Sequence, residues 1–364
     1  MKYKVNKNIR PAYLQIYKQL KEDIINGSYP YNSKLPSKRL LADETETSTV
    51  TIEHAYALLC DEGYVESRER SGFFVIFRNT DGFALPPETP QLHHSEMTYQ
   101  SQAAPDFPFS VLAKTMRNVI SDLGNGILEK SQNKGCLELR LAIKHYLAKN
   151  RGIHVDVEQI VIGSGSEYLY GLIIELLGQS RIYGIEYPSY KKIEQVYLAH
   201  EVSYETLRLS KEGIDSTALL HTKASVLHTT PYRSFPTGVT ASANKRHEYV
   251  RWANMSDRYI IEDDFESEFS VSTKPEDTLF ALCDKDTVIY LNTFSKTISP
   301  ALRIGYMVLP AKLVKDFDRR LGFYSCTVPT FEQYVIARLL QNGNFERHIN
   351  KVRRNKRKEL SNKS

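Results

Sequence analysis

Cysteine is scarce in this chain, and metal-ligand spacing is missing from it. Four cysteines (Cys60, Cys136, Cys283, Cys326) are scattered through 364 residues. They build neither a metal site nor a disulfide framework, and they fit a reducing cytosol. The N-terminus lacks the apolar segment of a secretory leader, and no apolar run reaches membrane-spanning length. The expectation is a cytoplasmic protein with no membrane partner and no metal. Internal repeats are absent. Charge of one sign is lacking too: 48 basic and 43 acidic residues leave a net +5, which by itself does not argue for a nucleic-acid partner.

What is present describes a soluble globular protein, 41% hydrophobic and 25% charged, too long for one ordinary core. Three blocks emerge. Residues 1–78 are basic, aromatic and helix-patterned, ending in a short β signal. Residues 79–104, with Pro86-Pro87 and Thr89-Pro90 in a polar stretch, have linker chemistry. In 105–364, short apolar runs at 161–162, 182–185, 225–227, 259–261, 288–291 and 306–309 alternate with helical patterns. That alternation predicts an α/β domain with a largely parallel sheet.

In the first block, residues 13–27 carry apolar positions at helical spacing and stop at Gly27. A second helix starts after Ser37 as N-cap, and a third spans about Ser48 to Glu62. Residues 63–68 and 72–76 read as two strands joined by a basic turn. A helix, a helix-turn-helix and a β-wing in that order make a small α+β winged helix.

In the large block, the run Val288–Leu291 delivers Lys296 into a hydroxyl-rich turn, with Ser295 before it and Arg303 seven positions on. A lysine attacks aldehydes when burial or a cationic neighbour destabilises its ammonium, and serine with arginine is what a phosphate needs. Thirty-three residues earlier, the strand Tyr259–Ile261 runs into the carboxylate cluster Glu262, Asp263, Asp264, Glu266 and Glu268. A pyridoxal ring acts as an electron sink only with a carboxylate on its ring nitrogen. The turn Gly163-Ser164-Gly165-Ser166 between a strand and a helix offers backbone N–H groups to a phosphate.

With these residues the chain resembles fold-type-I pyridoxal-phosphate proteins related to aspartate aminotransferase. Within them it is similar to MocR-type regulators, which fuse a GntR-type winged helix to an aminotransferase-like domain. The GntR features are Leu35-Pro36-Ser37-Lys38-Arg39, Ala55-Tyr56 through Glu62-Gly63, and the wing Ser67–Val75. The resemblance implies DNA contacts from Ser37, Lys38 and Arg39, from Ser48, Thr49, Thr51 and His54 on the recognition helix, and from Arg68 and Arg70 on the wing. Thr49 stands where relatives usually carry a basic residue.

For pyridoxal phosphate the resemblance implies a phosphate loop of Gly165, Ser166 and Glu167, with Ser295 and Arg303 on the same phosphate. Tyr190 would stack on the ring, Asp263 would pair with its nitrogen, and Lys296 would bond its aldehyde; Lys296 and Asp263 are the catalytic pair. Arg233, in Pro231–Gly238, replaces the usual histidine or asparagine beside the cofactor. Phe265 replaces a tyrosine, and Glu167 a glutamine, where a glutamate repels phosphate unless it points away. The substrate-carboxylate arginine of a C-terminal subdomain is not found. The chain stops in the basic stretch 350–360, which looks like the start of that subdomain and implies truncation. The reading is a DNA-binding regulator, a homodimer on operator DNA, sensing an amine, an amino acid or the cofactor itself. The alternative is an active aminotransferase carrying a DNA-binding module.

Overall fold

The computed structural model describes residues 3, 5, 11–78, 107–255, 257–264, 267–270 and 276–361. The expected linker 79–104 and Phe265 lie outside them. Backbone contacts divide the chain into two compact units, Met1–Thr98 and Tyr99–Ser364.

The first unit is built on three helices, α1 (Ala12–Ile25), α2 (Lys38–Thr45) and α3 (Thr49–Asp61), and a two-stranded antiparallel wing, β1 (Val65–Arg68) and β2 (Gly72–Val75). Ile16, Leu20 and Ile24 recur every fourth residue on α1 and bury one stripe against Leu41, Ile52, Tyr56 and Leu59. The Ser37 hydroxyl accepts from the Leu40 N–H, so the expected cap of α2 forms, and the Ser48 hydroxyl caps α3 in the same way by accepting from the Thr51 N–H. Tyr56 donates to the Pro36 carbonyl at 2.8 Å, fixing α3 against the turn that opens α2.

The second unit centres on an eight-stranded sheet. Its strands are β3 (Ile160–Gly163), β4 (Tyr183–Tyr187), β5 (Tyr204–Ser210), β6 (Gly213–Ile214), β7 (Val226–Thr229), β8 (Tyr259–Asp263), β9 (Val288–Thr293) and β10 (Gly305–Val308). They lie in the order β3-β10-β9-β8-β7-β4-β5-β6. Pairing is parallel from β9 through β8, β7 and β4 to β5, and antiparallel where β10 meets β3 and β9 and where β6 meets β5. Successive residues face opposite layers: Ile289 and Leu291 enter one core with Ile261 and Met307, while Tyr290 enters another with Ile162 and Tyr306. Burial on both faces explains why these strands read as continuous apolar runs.

This topology places one end of every central strand on a common edge. Beyond it lie the turns after β3, β4, β7, β8 and β9 and the turn before β10. Ligands of open α/β sheets bind at such an edge.

Candidate functional site

Asp263 ends β8, paired in register with Leu291 of β9, and Lys296 follows Leu291 by five residues. Asp263 is only 4% exposed. Its Oδ2 accepts a hydrogen bond from the Tyr170 hydroxyl, and His228 Nε2 lies 3.7 Å from the same oxygen. His228 is held from behind by the Tyr197 hydroxyl, 2.7 Å from Nδ1. Burial and the Asp263 charge push the Tyr170 hydroxyl far above its ordinary range, so it stays a donor. The second oxygen, Oδ1, is buried without a hydrogen-bond partner. An acceptor left this way is expensive unless a donor arrives. A protonated pyridine nitrogen is such a donor, and this fits pyridoxal phosphate.

Gly165 opens the helix Ser166–Leu177 at φ +98°, in the left-handed region that suits glycine. A Cβ there would meet Arg303 Nη2 at 3.2 Å, so the guanidinium rests against the glycine backbone. The pairing of Gly163 with Gly305 carries the two turns together. Helix N–H groups and an arginine therefore converge, as an anion requires. Glu167 is bound into this arrangement: Oε2 accepts from Arg303 Nη2, and Oε1 from Lys192 Nζ at 2.6 Å. Burial pushes the Glu167 carboxyl up, but the hydrogen bonds from Lys192 and Arg303 outweigh it and hold the group below the usual carboxylate range. The glutamate expected to repel a phosphate unless turned away is thus turned onto Arg303, the cation expected at that phosphate. Ser166 and Ser295 are half-buried on their respective turns, as is Lys296.

Tyr190, 38% exposed after β4, meets Phe235 edge-on with ring centres 6.1 Å apart. Arg233 is exposed with φ +57°, and its N–H donates to Thr240 Oγ1 at 3.1 Å. The turn carrying it is fixed by buried Glu186, which accepts from the hydroxyls of Thr229, Thr230 (2.6 Å) and Ser234 (2.5 Å). Tyr170, Lys192, His228 and Glu186 were not among the residues singled out from the sequence. Only Tyr170 has a local signal, one helical turn past Ser166 on the helix that opens at Gly165.

Beneath the β8 end lies a second buried group of charges. Arg151 Nη2 meets Asp264 Oδ2 at 2.6 Å, and Tyr290 donates to the same oxygen at 2.7 Å. Glu262 accepts from the Leu279 and Phe280 N–H groups and from Tyr232. Glu268 accepts from Asn292 Nδ2 at 2.7 Å. Burial, reinforced by the Asp264 charge, pushes both Glu262 and Glu268 up to about 7.

On the winged helix, Ser37, Arg39, Ser48, Thr49, His54, Arg68 and Arg70 are exposed, while Lys38 and Thr51 are half-buried. Lys38 pairs with Glu53 and Arg68 with Glu66, both at 2.6 Å. Arg39 and Arg70 form no ion pair among the described residues. The hydroxyls of Ser48 and Thr51 lie 2.9 Å apart at the start of α3, and His54 packs edge-on to Tyr13. Val50, absent from the sequence-derived set, is 56% exposed in the first turn of the recognition helix.

Together the two units define a winged helix-turn-helix joined to an aminotransferase-type α/β domain. Residues 12–75 match the family of bacterial regulatory proteins, gntR family, and residues 92–362 match aminotransferase class I and II. The HTH-type transcriptional regulator YdeL of Bacillus subtilis is 33% identical over 358 residues, covering 96% of this chain and 77% of that protein. The pyridoxine biosynthesis regulator PdxR of Corynebacterium glutamicum is 28% identical, covering 93% and 75%. A crystal structure of Pyrococcus horikoshii kynurenine aminotransferase, in complex with PMP, shares 29% identity at a TM-score of 0.63. That match covers 69% of this chain and 65% of the enzyme, so the chain spans just under two thirds of the enzyme's length. The chain belongs to the MocR- and PdxR-type transcriptional regulators, in which a gntR-family helix-turn-helix is fused to an aminotransferase class I and II domain. Among the described residues, no helix is long and apolar enough to cross a membrane.

Proposed function

We propose that this chain is a cytoplasmic, homodimeric regulator that binds operator DNA through α3 and the wing and holds pyridoxal phosphate in its large unit. The observation that carries the cofactor reading is the unpartnered, buried Oδ1 of Asp263 at the strand edge shared with the Lys296 turn. Bound there, pyridoxal phosphate supplies an aldehyde carbon on which an amine or amino acid can exchange with a lysine. Asp263, oriented by Tyr170, would keep the ring nitrogen protonated. Tyr190 would cover one face of the ring. Gly165, Ser166, Ser295 and Arg303 would hold the phosphate, and Lys296 Nζ would take the aldehyde. An amine or amino acid, or the cofactor itself, then shifts the population of the form that presents two winged helices to DNA.

The test is the absorption spectrum of the purified chain with added pyridoxal phosphate. A band near the visible edge should appear, and borohydride should fix the cofactor covalently to Lys296. A Lys296→Ala variant that keeps the same band would overturn the assignment. The regulatory half is tested separately, by asking whether an amine that changes the spectrum also changes retention on operator DNA.

A further inference from the structure

Three features meet at the start of the helix Ser166–Leu177. Its first N–H groups face the turn at Gly165. The Arg303 guanidinium lies against Gly165, 3.2 Å from where a Cβ would stand. The Glu167 carboxylate then binds that guanidinium through Oε2 and the Lys192 ammonium through Oε1. A carboxylate in the first turn is also favoured by the helix dipole. It therefore draws on the same positive charge that would stabilise a phosphate monoester.

We propose that Glu167 is a built-in competitor for the phosphate of the ligand. Arg303 and Lys192 are held on Glu167. When a phosphate monoester enters, Arg303 transfers to it and the Glu167 side chain turns away, since two anions on one guanidinium repel. The identity of the ligand rests on the pyridoxal-phosphate reading above; the competition applies to any phosphate monoester at this turn. No covalent step is involved.

Two consequences follow from charge and connectivity. Affinity for the phosphate is reduced by whatever the Glu167 pairs contribute, so occupancy follows ligand concentration, which suits a sensor better than a permanently loaded enzyme. Lys192 also lies two residues after Tyr190, at the start of the helix Lys191–Ala199. Losing Glu167 as a partner changes the contacts of the segment that carries the ring-facing aromatic. Phosphate binding is thereby linked to the position of that segment.

The experiment titrates the full-length chain, native and Glu167→Gln, with pyridoxal phosphate, with pyridoxal and with inorganic phosphate. Binding is followed by absorbance for the first two and by calorimetry for the third. Both pairs are partly exposed, so together they account for about tenfold in affinity. Glu167→Gln should tighten pyridoxal phosphate and inorganic phosphate by that factor and leave pyridoxal unchanged. Glu167→Ala, which removes the side chain's reach, should do the same and guards against a glutamine-specific contact. Unchanged or weaker phosphate binding in both variants overturns the proposal. So does equal tightening of pyridoxal, because the effect would then not belong to the phosphate. A native chain that takes neither pyridoxal form would sink the cofactor reading, while the inorganic-phosphate arm would still decide the competition.

Discussion

Tyr170 and Asp263, 93 positions apart in sequence, are joined by a buried hydrogen bond from the tyrosine hydroxyl to Oδ2, and Oδ1 is left without a partner. The aspartate is thereby oriented yet half satisfied, which is an unfavourable state for a buried carboxylate unless a ligand completes it. Asp263→Asn should separate the two roles. The neutral amide can still accept from Tyr170, so the ligand-free variant should be as stable as the native chain or more stable by about 1–2 kcal/mol. It no longer presents an anion to a protonated ring nitrogen, and pyridoxal-phosphate affinity should fall roughly ten- to hundredfold. Thermal unfolding with and without the cofactor checks both. A variant that loses stability but binds as well would mean that Asp263 is structural only.

Arg151 is the buried cation opposite Asp264, with side-chain exposures of 6% and 0%. Removing one member of such a pair leaves an uncompensated interior charge. Arg151→Met should therefore destabilise the large unit by about 3–5 kcal/mol. The double variant Arg151→Met, Asp264→Leu removes both charges and should recover most of the loss, because apolar replacements of buried pairs are often near neutral. Urea denaturation of four chains, the native, Arg151→Met, Asp264→Leu and the double variant, measures the coupling. Equal loss in the single and double variants would show that packing, including the guanidinium over the Tyr232 ring at 5.0 Å, carries the stability instead.

Glu262 and Glu268 give the large unit a pH dependence with a definite sign. Both carboxyls are pushed up to about 7 by burial, with Asp264 adding to the shift, whereas unfolded they titrate near 4.5. Between those values the folded chain binds more protons than the unfolded one, so stability falls as pH rises. The contribution is fully present below about pH 4.5 and is lost as pH passes through about 7, on the order of 3 kcal/mol per group. Glu262→Gln and Glu268→Gln should each flatten the slope of unfolding free energy between pH 5 and 8. A slope identical in native and variant chains would place the titration elsewhere.

Much of this architecture was legible because the central strands are buried on both faces, so Val288–Leu291 and Tyr259–Ile261 stand out as apolar runs. β5 was not legible: along Tyr204–Ser210 only Leu207 is buried, and Glu205 and Arg208 break the pattern. Near the sheet edge a strand needs little apolar surface, and its sequence then looks like a loop. β6, two residues long, leaves no pattern to read. Within the site, Lys296, Asp263 and Arg303 are announced by local motifs. Tyr170 is one of 23 tyrosines, and nothing local ties it to an aspartate in a distant strand. Glu167 was visible as an odd residue beside the expected phosphate turn. Its pairing with Arg303 spans 136 positions and emerges only when β3 and β10 lie side by side.

The winged helix allows a prediction that distinguishes its basic residues. Lys38 and Arg68 are each paired with a carboxylate, whereas Arg39 and Arg70 form no ion pair among the described residues. A phosphate must displace Glu53 or Glu66 to reach the first two, but can approach the second two directly. Arg39→Ala and Arg70→Ala should therefore weaken binding to duplex DNA on every sequence more than Lys38→Ala and Arg68→Ala do. Each effective replacement should also reduce the slope of log affinity against log salt by about 0.9. Changes at the start of α3 should behave differently. On the helix-turn-helix reading, Thr49, Thr51 and exposed Val50 would face base edges, where an apolar side chain can read a thymine methyl. Val50→Ala and Thr51→Ala should leave the salt slope unchanged and alter preference among operator sequences by about 1–3 kcal/mol at the affected base pair. Fluorescence anisotropy at several salt concentrations, on an operator and on scrambled duplexes, separates the two effects. An affinity indifferent to salt and to the arginine replacements would mark this unit as a protein-interaction module instead.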